Sequence, residues 1–161
     1  MVESDYLGED AETLGRLSKL PIFNLLDGPR VSKVVGFCKI RRYDQGETLI
    51  QEGDTDRALF ILLSGSARVL KKKKKICDLQ RFGDIFGEVN LVDGHGRSAT
   101  VRANSAVLCL VVDAARLETL SSDDVVFFHA LMYRALAEIL SRKLRETSDD
   151  VASLKANHFF C

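Results

Sequence analysis

"FGEVNLVDGHGRSATVRA", residues 86–103, sets one acid after a Phe-Gly pair and one arginine nine residues further on. Between Glu88 and Arg97 lie two glycines and a mostly uncharged loop, after which an apolar-alternating run begins. An isolated carboxylate and an isolated guanidinium flanking such a loop suit two arrangements. They can pair and tie two strands together, or both can face a bound third party that carries hydroxyls and a negative charge.

Working outward from this stretch, the middle of the chain reads as strands. Gly46, Gly53, Gly65, Gly83 and Gly87 recur at roughly strand-plus-turn intervals. They punctuate "YDQGETLIQEGD", "ALFILLSGSARVL", "KICDLQRFGD", "RSATVRA" and "AVLCLVVD". Short alternating runs cut by turn residues predict a β sandwich or jelly roll over residues 38–113. Before it, residues 10–37 have helical spacing, with Leu14, Leu17 and Leu20 ahead of Pro21 and Val31, Val34 and Val35 after "DGPR". From Ala114 helix returns nearly to the end, and no internal repeat is evident. The expected architecture is α+β in a single domain, residues 1–161: N-terminal helices within 1–37, a β-roll over 38–113 and C-terminal helices over 114–157.

Bulk composition restricts the function. At 161 residues the chain suits one domain with a sizeable core. Lysine plus arginine and aspartate plus glutamate both number 23, so no global charge draws the protein to nucleic acid or an anionic membrane. The apolar runs "ALFILL" and "AVLCLVV" fall short of the ~20 residues that span a bilayer. The opening "MVESDYLGEDAE" is acidic and polar rather than a signal peptide. A soluble, cytoplasmic protein is expected.

The cysteines, Cys38, Cys77, Cys109 and Cys161, form no CxxC pair. The first three are expected in the core and the last as a free terminal thiol. His95, His129 and His158 are scattered, so no metal site is expected, and no catalytic motif is recognisable. Catalytic and metal-binding residues are therefore expected to number none. The run "KKKKK", residues 71–75, suits contact with phosphates or an acidic partner, but such a run is more often a solvated hairpin tip whose like charges resist edge pairing, and that is the reading expected here.

The last forty or so residues carry a second pattern. Leu140, Leu144, Thr147, Val151 and Leu154 follow 4-3-4-3 spacing, extended backward by Tyr133 and Ala137, which is a short seam for a parallel helix pair. Thr147 interrupts that seam, with Ser148 beside it. A hydroxyl there costs stability unless something satisfies it, either as a register-setting polar residue or by meeting a ligand beneath the helix.

These segments together resemble the cyclic nucleotide-binding domains, and most closely the sensory half of the bacterial catabolite activator. The resemblance runs from about Leu17 to Leu154. "GETLIQEGD", "LFILLSGSARV", "FGDIFGEVNL" and "GRSATVRA" match the family's β-roll and its phosphate-binding cassette, residues 86–100. "RKLRETSDDVASL" looks like the activator's dimerising helix.

The resemblance implies that the short helix near Gly87 aims backbone N–H groups at a cyclic phosphate, with Gly87 allowing close approach. It implies that Arg97 donates to that phosphate. Glu88 would accept from the ribose 2′-hydroxyl, and Ser98 would add a hydroxyl to the phosphate or to a guanine edge. Val89 and Ala99 complete the cassette's expected contacts. Thr147 and Ser148 take the positions that read adenine's amino group, Ser148 across a dimer. Strand alternation places Val69 and Cys77 on the inner wall beside the base.

Asn90 departs from the family's usual Ala or Gly, and Lys143 stands where the activator has an arginine. The chain stops at "KANHFFC", with too few residues after the seam for the activator's DNA-reading module. The expected function is thus a stand-alone, non-catalytic receptor for cAMP, with cGMP as the other possible ligand. It would be a homodimer that signals to an effector protein and not to DNA or a membrane. The alternatives are a ligand-free interaction scaffold or a sensor fragment of a larger regulator or channel.

Overall fold

In the computed structural model, residues 1–6, 15, 17–19, 23, 35–113 and 122–158 are described. The chain divides into two compact units, Met1–Val125 and Val126–Cys161. The expected helices of residues 10–34 and 114–121 lie for the most part outside the described residues.

Nine strands and two helices follow in chain order among the described residues. The strands are β1 (Val2–Tyr6), β2 (Cys38–Tyr43), β3 (Thr48–Ile50), β4 (Ala58–Ser64) and β5 (Ala67–Lys71). They continue with β6 (Lys74–Leu79), β7 (Ile85–Phe86), β8 (Thr100–Ala103) and β9 (Val107–Asp113). Helix α1 is Val89–Asp93, between β7 and β8, and α2 is Ser122–His158. One sheet runs β1-β2-β9-β4-β7 and the other β3-β8-β5-β6, with every pairing antiparallel. This is the jelly roll expected for residues 38–113.

The two sheets share one apolar cluster. Ala58, Phe60 and Leu62 of β4 and Val107, Cys109 and Val111 of β9 meet Ala67 of β5 and Val101 and Ala103 of β8. These residues alternate along their strands because successive side chains point to opposite faces. The intervening residues Leu59, Ile61, Leu110 and Val112 are buried as well. Burial on both faces explains why "ALFILL" and "VLCLVV" are continuously apolar. Each such large side chain contributes about 1.5–3 kcal/mol by leaving water.

Two expectations need correcting. Residues 2–6 form a strand, although only helices were expected in 1–37. "VESDY" has little strand pattern, but Glu3 accepts from Lys39 Nζ at 2.6 Å and from Arg41 Nε, which ties it to the edge of β2. Cys77 is exposed, unlike the buried Cys38 and Cys109. It sits on the edge strand β6, where the register slips by one residue between Val69↔Cys77 and Leu70↔Lys75. An edge strand has a neighbour on one side only, so even a side chain in its inward row can stay open to solvent. Cys161 lies outside the described residues.

The lysine run forms the expected tip. Lys71 ends β5, Lys74 begins β6, and Lys72 and Lys73 turn between them with φ of 48° and 66°. In the second unit, α2 leaves Tyr133, Leu144, Val151 and Leu154 exposed, while Leu136 and Ile139 are buried. The 4-3 stripe is therefore largely solvent-facing in a single chain.

Candidate functional site

The cassette joins the two sheets. It leaves β7 of the five-stranded sheet at Phe86, turns at Gly87, forms α1 and enters β8 of the four-stranded sheet at Thr100. Gly87 has a φ of 79°. A Cβ there would lie 2.6 Å from Arg97 Nη1 and 3.1 Å from the Ala58 carbonyl oxygen. Both the backbone conformation and the space require glycine. Gly94, with a φ of 68°, ends α1 in a left-handed cap whose N–H donates to the Asn90 carbonyl at 3.1 Å.

Arg97 is 3% exposed and closely held. Its Nε donates to Asp56 Oδ1 at 3.1 Å and one Nη2 hydrogen to Asp56 Oδ2. Nη2 also donates to the Ala58 carbonyl at 2.7 Å, and Nη1 to the Gly87 carbonyl at 2.8 Å. The guanidinium carbon stands 5.7 Å from the centre of the Phe60 ring. A guanidinium has five N–H donors. Four are engaged among the described residues, which leaves one hydrogen on Nη1, beside the Gly87 turn, without a partner among them. The backbone of Arg97 is pinned as well: its N–H donates to Asp54 O at 2.7 Å and its carbonyl accepts from Gly53 N at 2.9 Å.

Asp56 is the partner of Arg97 that sequence reading missed. Its contact with Arg97 joins residues 41 positions apart, and no local spacing announces it. The hydrogen bond from Arg97 holds the Asp56 carboxyl below the usual carboxylate range.

Glu88 is 4% exposed and occupies the N-cap of α1, yet its side chain makes no capping bond to the helix. Asn90 is 3% exposed; its Nδ2 donates to the His95 carbonyl at 2.9 Å, lacing α1 to the loop that follows. That contact orients the amide and leaves Oδ1 buried with no partner among the described residues. The departure at Asn90 thus adds a brace to the cassette.

The cassette brings Gly87, Glu88, Val89, Arg97, Ser98 and Ala99 into one segment, with Glu88 and Arg97 buried and Ser98 exposed. Val69 and Cys77 face each other across β5 and β6, in the row that contains the buried pair Ala67 and Leu79. They therefore share the inner face, where Val69 packs against the core. Thr147 and Ser148 stand on α2, in the other unit. The Thr147 hydroxyl donates to the Lys143 carbonyl at 2.8 Å, so the helix's own backbone supplies its partner here. Among the described residues no group of three or more His, Cys, Asp or Glu side chains is gathered as a metal ion would require. No helix among them is long and apolar enough to cross a membrane.

The fold and this cassette define a known class. Residues 40–124 match the model of the cyclic nucleotide-binding domain, and the chain belongs to that family. The family is regulatory and not catalytic. The chain is 32% identical over 145 residues to a cAMP-dependent protein kinase regulatory subunit of Mycosarcoma maydis, covering 88% of this chain and 26% of that protein. It is 30% identical over 129 residues to a cGMP-dependent protein kinase of Eimeria tenella, covering 80% of this chain and 13% of the kinase. The chain thus spans about a quarter or less of these relatives. The crystal structure of the Thermus thermophilus catabolite activator protein superposes with a TM-score of 0.66 at 25% identity, covering 84% of this chain and 63% of that one.

Proposed function

We propose that this chain is a cytoplasmic cyclic-nucleotide receptor without catalytic activity. It pairs with a second copy through α2 and passes its ligand state to an effector protein, with no role for DNA, a membrane, a metal or another cofactor. The observation that carries the reading is Arg97: a buried guanidinium fixed by Asp56, Gly87 and Ala58, with one donor remaining at the glycine turn. Glu88 is the acceptor for a ribose hydroxyl, and Val69 and Cys77 line the base side. Relatives named for cAMP and for cGMP are both similar to this chain. The preference for cAMP therefore rests on Thr147 and Ser148 reading the adenine amino group.

Calorimetry with cAMP and cGMP on wild type, Arg97→Ala and Glu88→Ala tests this. One mismatched donor or acceptor at a buried site costs about 1–3 kcal/mol, so cAMP should bind roughly 5- to 150-fold more tightly than cGMP. Arg97→Ala should cost about 2–5 kcal/mol of binding, and Glu88→Ala about 1–3 kcal/mol. Equal affinities for the two nucleotides would refute the α2 reading alone. Undiminished binding by a folded Arg97→Ala would refute the cassette. The four internal bonds of Arg97 also suit a cross-brace in a scaffold that binds no nucleotide, and a folded wild type silent to both ligands would establish that second reading.

A further inference from the structure

The lysine run is only partly a solvated tip. Lys71 closes β5 in the same alternating row as Ala67 and Val69, on the face that lines the base side. Its ammonium donates to the carbonyl oxygen of Ser98, inside the cassette, and lies 3.2 Å from Glu52 Oε1. Glu52 Oε2 accepts from the Lys72 backbone N–H at 3.0 Å, and the Glu52 N–H donates to Thr100 Oγ1 at 3.0 Å. Lys71 thereby links three segments: the β5–β6 hairpin, the loop between β3 and β4, and the end of the cassette.

The turn itself serves this link at a cost. Lys72 and Lys73 both take left-handed backbone, which tight hairpins normally assign to Asn or Gly. That geometry presents the Lys72 N–H to Glu52 while Lys71 reaches Ser98. Arg97 is already clamped from the other side by its two backbone bonds to Gly53 and Asp54. Ser98, the next residue, is exposed and has no such pair among the described residues; its carbonyl is held by Lys71. No corresponding side-chain contact to the cassette is made by Lys72, Lys73 or Lys74 among the described residues.

We infer that Lys71 is a positioning residue of the nucleotide site, acting through Ser98. It fixes the peptide that carries the Ser98 hydroxyl, so the rigidity of the hairpin tip is passed to the phosphate end of the cassette. This rests on the proposed nucleotide-binding function and adds to it a residue on a different hairpin.

The test is a double-mutant cycle read by calorimetry with cAMP. Lys71→Met should bind cAMP roughly 3- to 20-fold more weakly, as loss of one charge-assisted hydrogen bond at a part-exposed site predicts. The same substitution made in Ser98→Ala should change affinity less than about twofold, because the group it positions is gone. Lys71→Arg should restore binding to within about threefold, since it keeps the charge and the donor. Lys73→Met removes the same charge without that contact and should bind as wild type does. The inference is overturned if Lys71→Met binds as wild type, if its loss is undiminished in Ser98→Ala, or if Lys73→Met loses as much. A wild type that binds neither cAMP nor cGMP overturns it too, and only that outcome overturns the nucleotide-binding function as well.

Discussion

Gly87→Ala separates two demands that the cassette places on one residue. The φ of 79° charges a non-glycine residue about 1–2 kcal/mol. The added methyl would also lie 2.6 Å from Arg97 Nη1 and 3.1 Å from the Ala58 carbonyl. A flexible side-chain end could swing aside cheaply, but this guanidinium is held by four hydrogen bonds, and the carbonyl belongs to β4. Overpacking of this kind costs about 1–3 kcal/mol. The sum is about 2–5 kcal/mol, which for a chain of this size lowers Tm by roughly 4–20 °C. Gly94→Ala is the matched control: its φ is 68°, yet nothing lies within 4 Å of its Cβ position. It should pay the backbone cost alone, roughly 2–8 °C. Thermal unfolding followed by circular dichroism measures both. Equal drops for the two variants would show that the Arg97 guanidinium does not confine residue 87, and the account of the glycine turn would be wrong.

Acid should loosen Arg97 through Asp56. The folded-state pKa of Asp56 is lowered, chiefly by the hydrogen bond from Arg97, so its contribution is present above the unfolded pKa and lost as pH falls through the folded one. The gap in urea midpoint between wild type and Asp56→Asn should therefore be full near neutrality and shrink below about pH 4; a gap constant over that range would contradict the pairing. For assembly, Leu144→Glu should convert a dimer into a monomer in sizing chromatography with light scattering, because Leu144 is 68% exposed in the single chain and lies in the apolar stripe of α2. An unchanged mass would place the subunit contact elsewhere.

The β-roll was legible because its signals are local. Alternation and turn glycines bound residues 38–113, and β2 begins at Cys38 while β9 ends at Asp113. The cassette was legible for the same reason, since Gly87, Glu88 and Arg97 sit within one short segment. What escaped depends on partners distant in the chain. Strand β1 pairs with β2, and its Glu3 meets Lys39 and Arg41, partners distant in the chain that "VESDY" alone does not announce. Asp56 looks like any loop acid until Arg97 folds against it. Cys77 was expected in the core as a small apolar residue, but it lies on β6, the edge strand of its sheet, and is exposed there. Thr147 posed a different difficulty: spacing places its hydroxyl in a seam where something must satisfy it, and the helix itself supplies one partner, the Lys143 carbonyl one turn back.

The uneven burial of the thiols makes the roll selectively addressable by chemistry. Cys38 and Cys109 are both pushed up to about 12 by burial, so at neutral pH they remain protonated and closed to alkylating reagents. Cys77 is exposed at the bulge of β6, across from Val69 on the base side. With Cys161→Ser in place, a maleimide dye would couple at Cys77 as the one solvent-facing thiol among the described residues. The native sequence thus carries its own attachment point for a fluorophore at the rim of the roll, where a change in emission on adding nucleotide would report occupancy directly.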